Sequence, residues 1–144
     1  MTKAERAGAS FQEGFSCSQA VFTAFSDDFG LDRLTALKVS QAFGGGMGHL
    51  GEVCGAVTGA FMAIRLKYGR TRADDLEARD KTYALIQAFA HRFKELHCSL
   101  TCRCLLGCDI GTEEGMKAAR DKNLFQTLCL NYVKDAAEIA DALM

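Results

Sequence analysis

No proline occurs anywhere in the 144 residues of this chain. Proline removes a backbone donor and clashes with the preceding helical turn, so its absence leaves every stretch free to run as a long helix. The apolar residues use that freedom. Cys17, Ala20, Val21, Ala24 and Phe25 recur at i, i+3, i+4, i+7 and i+8, the stripe of an amphipathic helix. No stretch alternates as a half-buried strand does. The predicted fold is all-α, a single-domain helical bundle of about five to seven helices over residues 1–144.

The periodicity places a first helix over 2–14, with Ala4, Ala7 and Phe11 inward, and a second opening at Cys17 behind the N-cap Ser16. A third helix over 32–43 is expected to bury Leu34, Leu37 and either Val39 or Ala42. Five glycines between Gly44 and Gly51 then forbid a helix interior, because glycine loses the most entropy on ordering; this is read as a loop. A fourth helix over 53–68 carries Gly55, Ala56, Gly59, Ala60 and Ala63 and is apolar nearly all round, the mark of a central helix or a subunit interface, which leaves a homodimer open. A long fifth helix over 73–96 is expected to bury Tyr83, Ile86, Phe89, Ala90 and Phe93. The segment from His97 to Asp109 reads as a turn followed by a short helix, Thr112 caps another short helix through Arg120, and a last helix over 127–143 points Leu128, Tyr132, Ala136, Ile139 and Leu143 inward.

Composition narrows the function. A net charge of −1 with no block of one sign gives no basic face for nucleic acid. The longest apolar run, Val53 to Ile64, is too short for a membrane span. The N-terminus lacks the apolar core of a signal peptide, so the expected location is cytoplasmic, where thiols stay reduced. No Ser/His/Asp set, carboxylate pair or phosphate-loop ending stands out.

Seven cysteines are therefore the outlier: Cys17, Cys54, Cys98, Cys102, Cys104, Cys108 and Cys129. No two have the C-x2-C spacing common in zinc ribbons and ferredoxins. Cys98 and Cys102 would share one helical face and Cys104 and Cys108 another. Met47, His49 and His97 are further soft-ligand candidates; packing or solvent exposure is the simpler reading of each. Cys17, Cys54 and Cys129 fall at expected helix starts, where unpaired amides stabilise a thiolate.

Five segments carry a resemblance: Gly14-Phe-Ser-Cys17-Ser-Gln-Ala-Val21, Phe43-Gly-Gly-Gly-Met-Gly48, Cys54-Gly-Ala-Val-Thr-Gly59, Cys102-Arg-Cys-Leu-Leu-Gly107 and Cys129-Leu-Asn-Tyr-Val133. In this order they resemble the C_GCAxxG_C_C family of redox-active proteins over nearly the whole chain. The resemblance implies that Cys17, Cys54, Cys102 and Cys129 form the working set and that Cys98, Cys104 and Cys108 are additions. The resemblance favours redox chemistry over a purely structural role, and the spacing does not choose between cluster and dithiol; the first-ranked reading is an iron–sulfur cluster held by those four and serving electron transfer with a protein partner. Two alternatives stay open: metal-free thiol–disulfide chemistry with Cys54 as the low-pKa attacking thiolate and Cys17 beside it as a catalytic candidate, and a zinc or soft-metal module without catalysis. All three require folding to gather these thiols into a common pocket.

Overall fold

The computed structural model describes residues 1–144. Helices are α1 (Lys3–Gln12), α2 (Cys17–Ser26), α3 (Arg33–Ser40), the single turn α4 (Gly44–Met47), α5 (Gly55–Tyr68), α6 (Leu76–His97), α7 (Cys102–Leu106), α8 (Glu113–Asp121) and α9 (Leu130–Leu143). Short 3-10 turns extend α2 and α3, and a π turn, Phe125–Cys129, leads into α9. The fold is all-α, as the periodicity predicts, with somewhat more segments than expected. The sole β feature is an isolated antiparallel bridge between Val53 and Thr101. No helix is long and apolar enough to cross a membrane.

The helix starts follow local chemistry. Thr2 and Ser16 each form a capping box, with Glu5 and Gln19 returning a bond to the cap backbone. Asp32, Asp75 and Thr112 cap α3, α6 and α8 through their side chains. The cap at Asp75 starts α6 at Leu76 rather than at Ala73.

Helix α5 is central: it packs against α2, α6 and α9. Ala56, Val57, Ala60, Ala63 and Ile64 on it are fully buried. An aromatic row joins it to α6: Phe61 of α5 meets Phe89 of α6 edge-on at 5.6 Å, and Phe89 stacks on Phe93 at 5.9 Å. The row continues to Tyr132 of α9, 6.2 Å from Phe93.

Two expected faces are corrected. Helix α3 turns Leu34 (72% exposed) and Val39 (51% exposed) to solvent and buries Ala36 and Ser40 instead. The reason lies in the close approach of α2: Ser18 Oγ donates to the Ser40 carbonyl at 2.6 Å and Gln19 Nε2 donates to the Leu37 carbonyl at 3.0 Å. Backbone held that near leaves room only for small side chains. On α6, Tyr83 is exposed and Thr82 faces inward, its hydroxyl donating to the carbonyls of Ala78 and Tyr68.

Candidate functional site

The chain gathers Cys17, Cys54, Cys102 and Cys129 around one cavity of about 420 Å³. Four elements deliver them. Cys17 is the first residue of α2, Cys54 caps α5, Cys102 is the first residue of α7, and Cys129 ends the π turn before α9. Cys129 is therefore not in the first turn of a helix: the helical path already begins at Leu124, and its amides are committed. The π turn holds one extra residue per turn, and both of its ends, Phe125 and Cys129, line the cavity. Nothing in the local sequence announces that widening.

Backbone hydrogen bonds fix the distant pieces in register. Cys54 N–H donates to the Leu100 carbonyl at 2.8 Å, and Cys102 N–H donates to the Glu52 carbonyl at 2.6 Å. These two bonds flank the Val53–Thr101 bridge and hold the two cysteines diagonally across it, although 47 residues lie between them in the chain. The glycine segment packs behind them. Gly46 has φ +67°, and a Cβ there would stand 2.7 Å from Cys102 Cβ and 2.6 Å from the Glu52 nitrogen. Only glycine meets both the left-handed backbone and that approach. The expected loop is thus a turn, Gly44–Met47, with left-handed residues inside it.

The CGAxxG stretch has a direct steric meaning. A Cβ on Gly55 would collide with Cys17 Sγ, so this glycine admits the sulfur against the first amide of α5. A Cβ on Gly59 would lie 2.7 Å from the Ser18 carbonyl oxygen, so the second glycine admits the α2 backbone. Ala56 between them is completely buried. Cys17 is held between its own helix start and that of α5.

All four thiols are pushed up from the ordinary cysteine range. Burial is the main cause each time. For Cys17 the N–H groups of Gly45, Ser18, Cys17 and Gly55 oppose it. Cys54 is raised well above the ordinary range, by burial and then by the neighbouring Cys17, against the N–H groups of Ala56 and Val57. The expectation of a low-pKa Cys54 is thereby overturned: helix-start amides are present, but desolvation outweighs them. Cys102 is pushed up to about 12 by burial and by Cys17, Cys108 and Asp109. Cys129 reaches about 12 through burial and the nearby Cys17, Cys102 and Cys108. After burial, Cys17 is the next cause opposing ionisation of Cys54, Cys102 and Cys129.

The lining has no lysine, arginine, aspartate or glutamate. Phe11, Leu105, Leu106, Ile110 and Phe125 give apolar walls; Ser16, Gln41 and His49 add polar groups. Tyr132 also lines the cavity, but its hydroxyl donates to the Leu105 carbonyl at 2.7 Å rather than to a sulfur. Nothing in its helical spacing distinguishes this role from plain core packing.

The remaining candidates separate from the site. Cys98 is an exposed, left-handed C-cap of α6 and shares no helix with Cys102. Cys104 is exposed and Cys108 half-buried. His49 is exposed at the cavity rim, Met47 does not line it, and His97 pairs with Asp135 at 2.8 Å on α9. All seven cysteines are free thiols. No three Cys, His, Asp or Glu side chains converge tightly enough to hold a single metal ion; the four thiols surround a hollow instead.

Comparison with known proteins identifies a family. No curated protein and no solved structure matches the chain. A family model described as "Putative redox-active protein (C_GCAxxG_C_C)" matches residues 15–143. That span contains all four cavity cysteines, the glycine turn and both glycines that admit α2, and with it the chain belongs to the C_GCAxxG_C_C family of redox-active proteins.

Proposed function

We propose that this redox-active protein holds an iron–sulfur cluster on Cys17, Cys54, Cys102 and Cys129 and exchanges single electrons with a protein partner. The observation that carries the reading is the cavity's donor set: four thiols around one hollow, with no carboxylate, lysine or arginine lining it. Four ionised thiols packed this way repel one another, and burial raises each. A cationic inorganic core offsets that cost, since a metal replaces the thiol protons on binding. Amides aimed at Cys17 and Cys54 suit cluster sulfurs, whose potential responds to hydrogen bonding. When bound, the cluster would supply one-electron chemistry; the chain's part is to ligate it, keep water away with the apolar walls and direct amides at the ligands.

The other two readings draw less support. Thiol–disulfide exchange works through a thiolate, and burial works against thiolate at all four positions. A structural zinc wants four ligands converging at about 2.3 Å from one point, a tighter grouping than this hollow.

The test is anaerobic purification, with assay of iron, acid-labile sulfide, zinc and free thiols. The reading expects a brown protein with iron and sulfide. A colourless, iron-free product that stays so after anaerobic incubation with ferrous iron and sulfide sinks it. Stoichiometric zinc, or loss of two thiols on mild oxidation without metal, would transfer support to the corresponding alternative.

A further inference from the structure

The exposed residues lining the cavity lie together in the chain: Gln41, Ala42, Gly48 and His49. Cys54, Cys102, Leu105, Leu106 and Ile110 line it as buried residues. The hollow therefore opens to solvent between the 3-10 turn after α3 and the glycine turn. His49 stands at this mouth against Gly45, where a Cβ would collide with its ring. From Val39 to Gly51 no Asp, Glu, Lys or Arg occurs, in a chain with 17 basic and 18 acidic residues. Entrance and lining alike thus lack a carboxylate, a lysine or an arginine. Inside, the Tyr132 hydroxyl is committed to the Leu105 carbonyl, and the Ser16 hydroxyl to Ser18 and the Gln19 N–H. An ionic occupant would shed its water there and find no side-chain counter-ion. An apolar body would meet Phe11, Phe125 and the α7 leucines, with a hydrogen-bonding end left beside Gln41 and His49.

We infer that this hollow is a binding site for a small uncharged molecule with an apolar body and a hydrogen-bonding end, admitted through the mouth between Gln41 and His49. Its volume of about 420 Å³ suits such an occupant, since small-molecule sites run from about 300 to 1,000 Å³. Molecules bearing a carboxylate, sulfonate or ammonium group are excluded by the same lining. The bound molecule lies between the thiols and solvent, so it shields the half-buried sulfurs of Cys17 and Cys129. Cys98 and Cys104 stay open, because they are exposed and line no part of the cavity. Contact of this molecule with a cluster rests on the reading proposed above, whereas uptake depends on the cavity alone, so the two can fail separately.

The experiment titrates metal-free full-length protein, without oxygen, with two fluorescent probes of nearly the same shape. N-phenyl-1-naphthylamine is uncharged; 1-anilinonaphthalene-8-sulfonate adds an anionic group to the same rings. The expected result is saturable uptake of one uncharged probe per chain, with the sulfonate bound about tenfold more weakly or less. Leu106→Trp, which fills the hollow, is expected to abolish uptake while the helical circular dichroism persists. A second measurement needs no variant: iodoacetamide alkylation is followed at each cysteine by mass spectrometry. Bound probe should slow Cys17 and Cys129 several-fold and leave Cys98 and Cys104 unchanged. Equal affinity for the two probes, uptake that does not saturate, or no protection of Cys17 and Cys129 overturns the inference. The same preparation is then incubated with ferrous iron and sulfide. Protein that loads both but takes no probe when metal-free overturns the inference and leaves the cluster standing. Probe uptake by protein that cannot be loaded does the converse.

Discussion

Helix α5 packs in two different ways along its length. Its first turns, Gly55–Gly59, are stripped of side chains where Cys17 Sγ and the Ser18 carbonyl press in. Its later turns carry Ala60, Ala63 and Ile64 into a core completed by Phe89 and Phe93. The first part is shaped by what must approach it, the second by volume to be filled. Desolvated thiols and left-handed backbone crowd the first end, which would be a poor way to build stability alone. The aromatic end is ordinary close packing, where lost volume is felt directly. The difference suggests that the aromatic layer supplies the stability and the thiol end supplies the chemistry.

Substitutions at the two ends test that division. The largest effect is expected from Cys54→Ser or Cys17→Ser: cluster loading, read as iron and sulfide per chain, falls to background while the helical circular dichroism persists. Loading unchanged in both variants would break the proposed ligand set. Phe93→Ala should do the reverse, costing about 3–5 kcal/mol of unfolding free energy in denaturant titration, with loading retained by whatever fraction stays folded. Gly59→Ala and Gly55→Ala sharpen the comparison within a single motif. At Gly59 the added carbon meets backbone, so the expected cost is about 1–3 kcal/mol of stability. At Gly55 it meets Cys17 Sγ, and reduced loading at smaller loss of stability is expected. Identical profiles for the two would mean that both glycines serve helix packing alone.

Titration gives a further contrast. Burial pushes Cys102 and Cys129 up to about 12 in the folded chain, against 9.0 for an ordinary thiol. The unfolded chain thus loses these protons first. Stability fully present below the unfolded value drains away as pH rises toward the folded one. Metal-free protein should melt at a lower temperature at about pH 10 than at about pH 8, and Cys102→Ser should lessen the drop. A melting temperature that does not fall over this range would contradict the buried-thiol picture. The smallest effect is expected far from the cavity. Asp32→Ala removes the α3 cap and should cost about 1 kcal/mol, with loading untouched.

Much of the architecture was legible locally. Ser16 before Cys17 and Thr112 before Glu113 each act through a side chain that reaches its own helix, and a bond between near neighbours is visible as spacing. The buried face of α3 was not legible. Leu34 looks inward by hydrophobicity, but Ser18 and Gln19 pull the α2 and α3 backbones together at small residues instead. Cys129 was misplaced because a π turn leaves no mark in a residue pattern. The Cys54 acidity was misjudged because a helix start can be read from sequence whereas the depth of burial around it cannot.

By itself, the sequence determined that the chain is helical, where its capped helices begin, and which four cysteines stand in family-like segments. Those properties depend on residues close together along the chain. Tertiary structure alone decided that four sulfurs spread from Cys17 to Cys129 face one hollow lined by no lysine, arginine or carboxylate, and that desolvation exceeds the pull of the amides. Burial and charge–charge interaction depend on which distant segments meet, and that is fixed only when the helices pack.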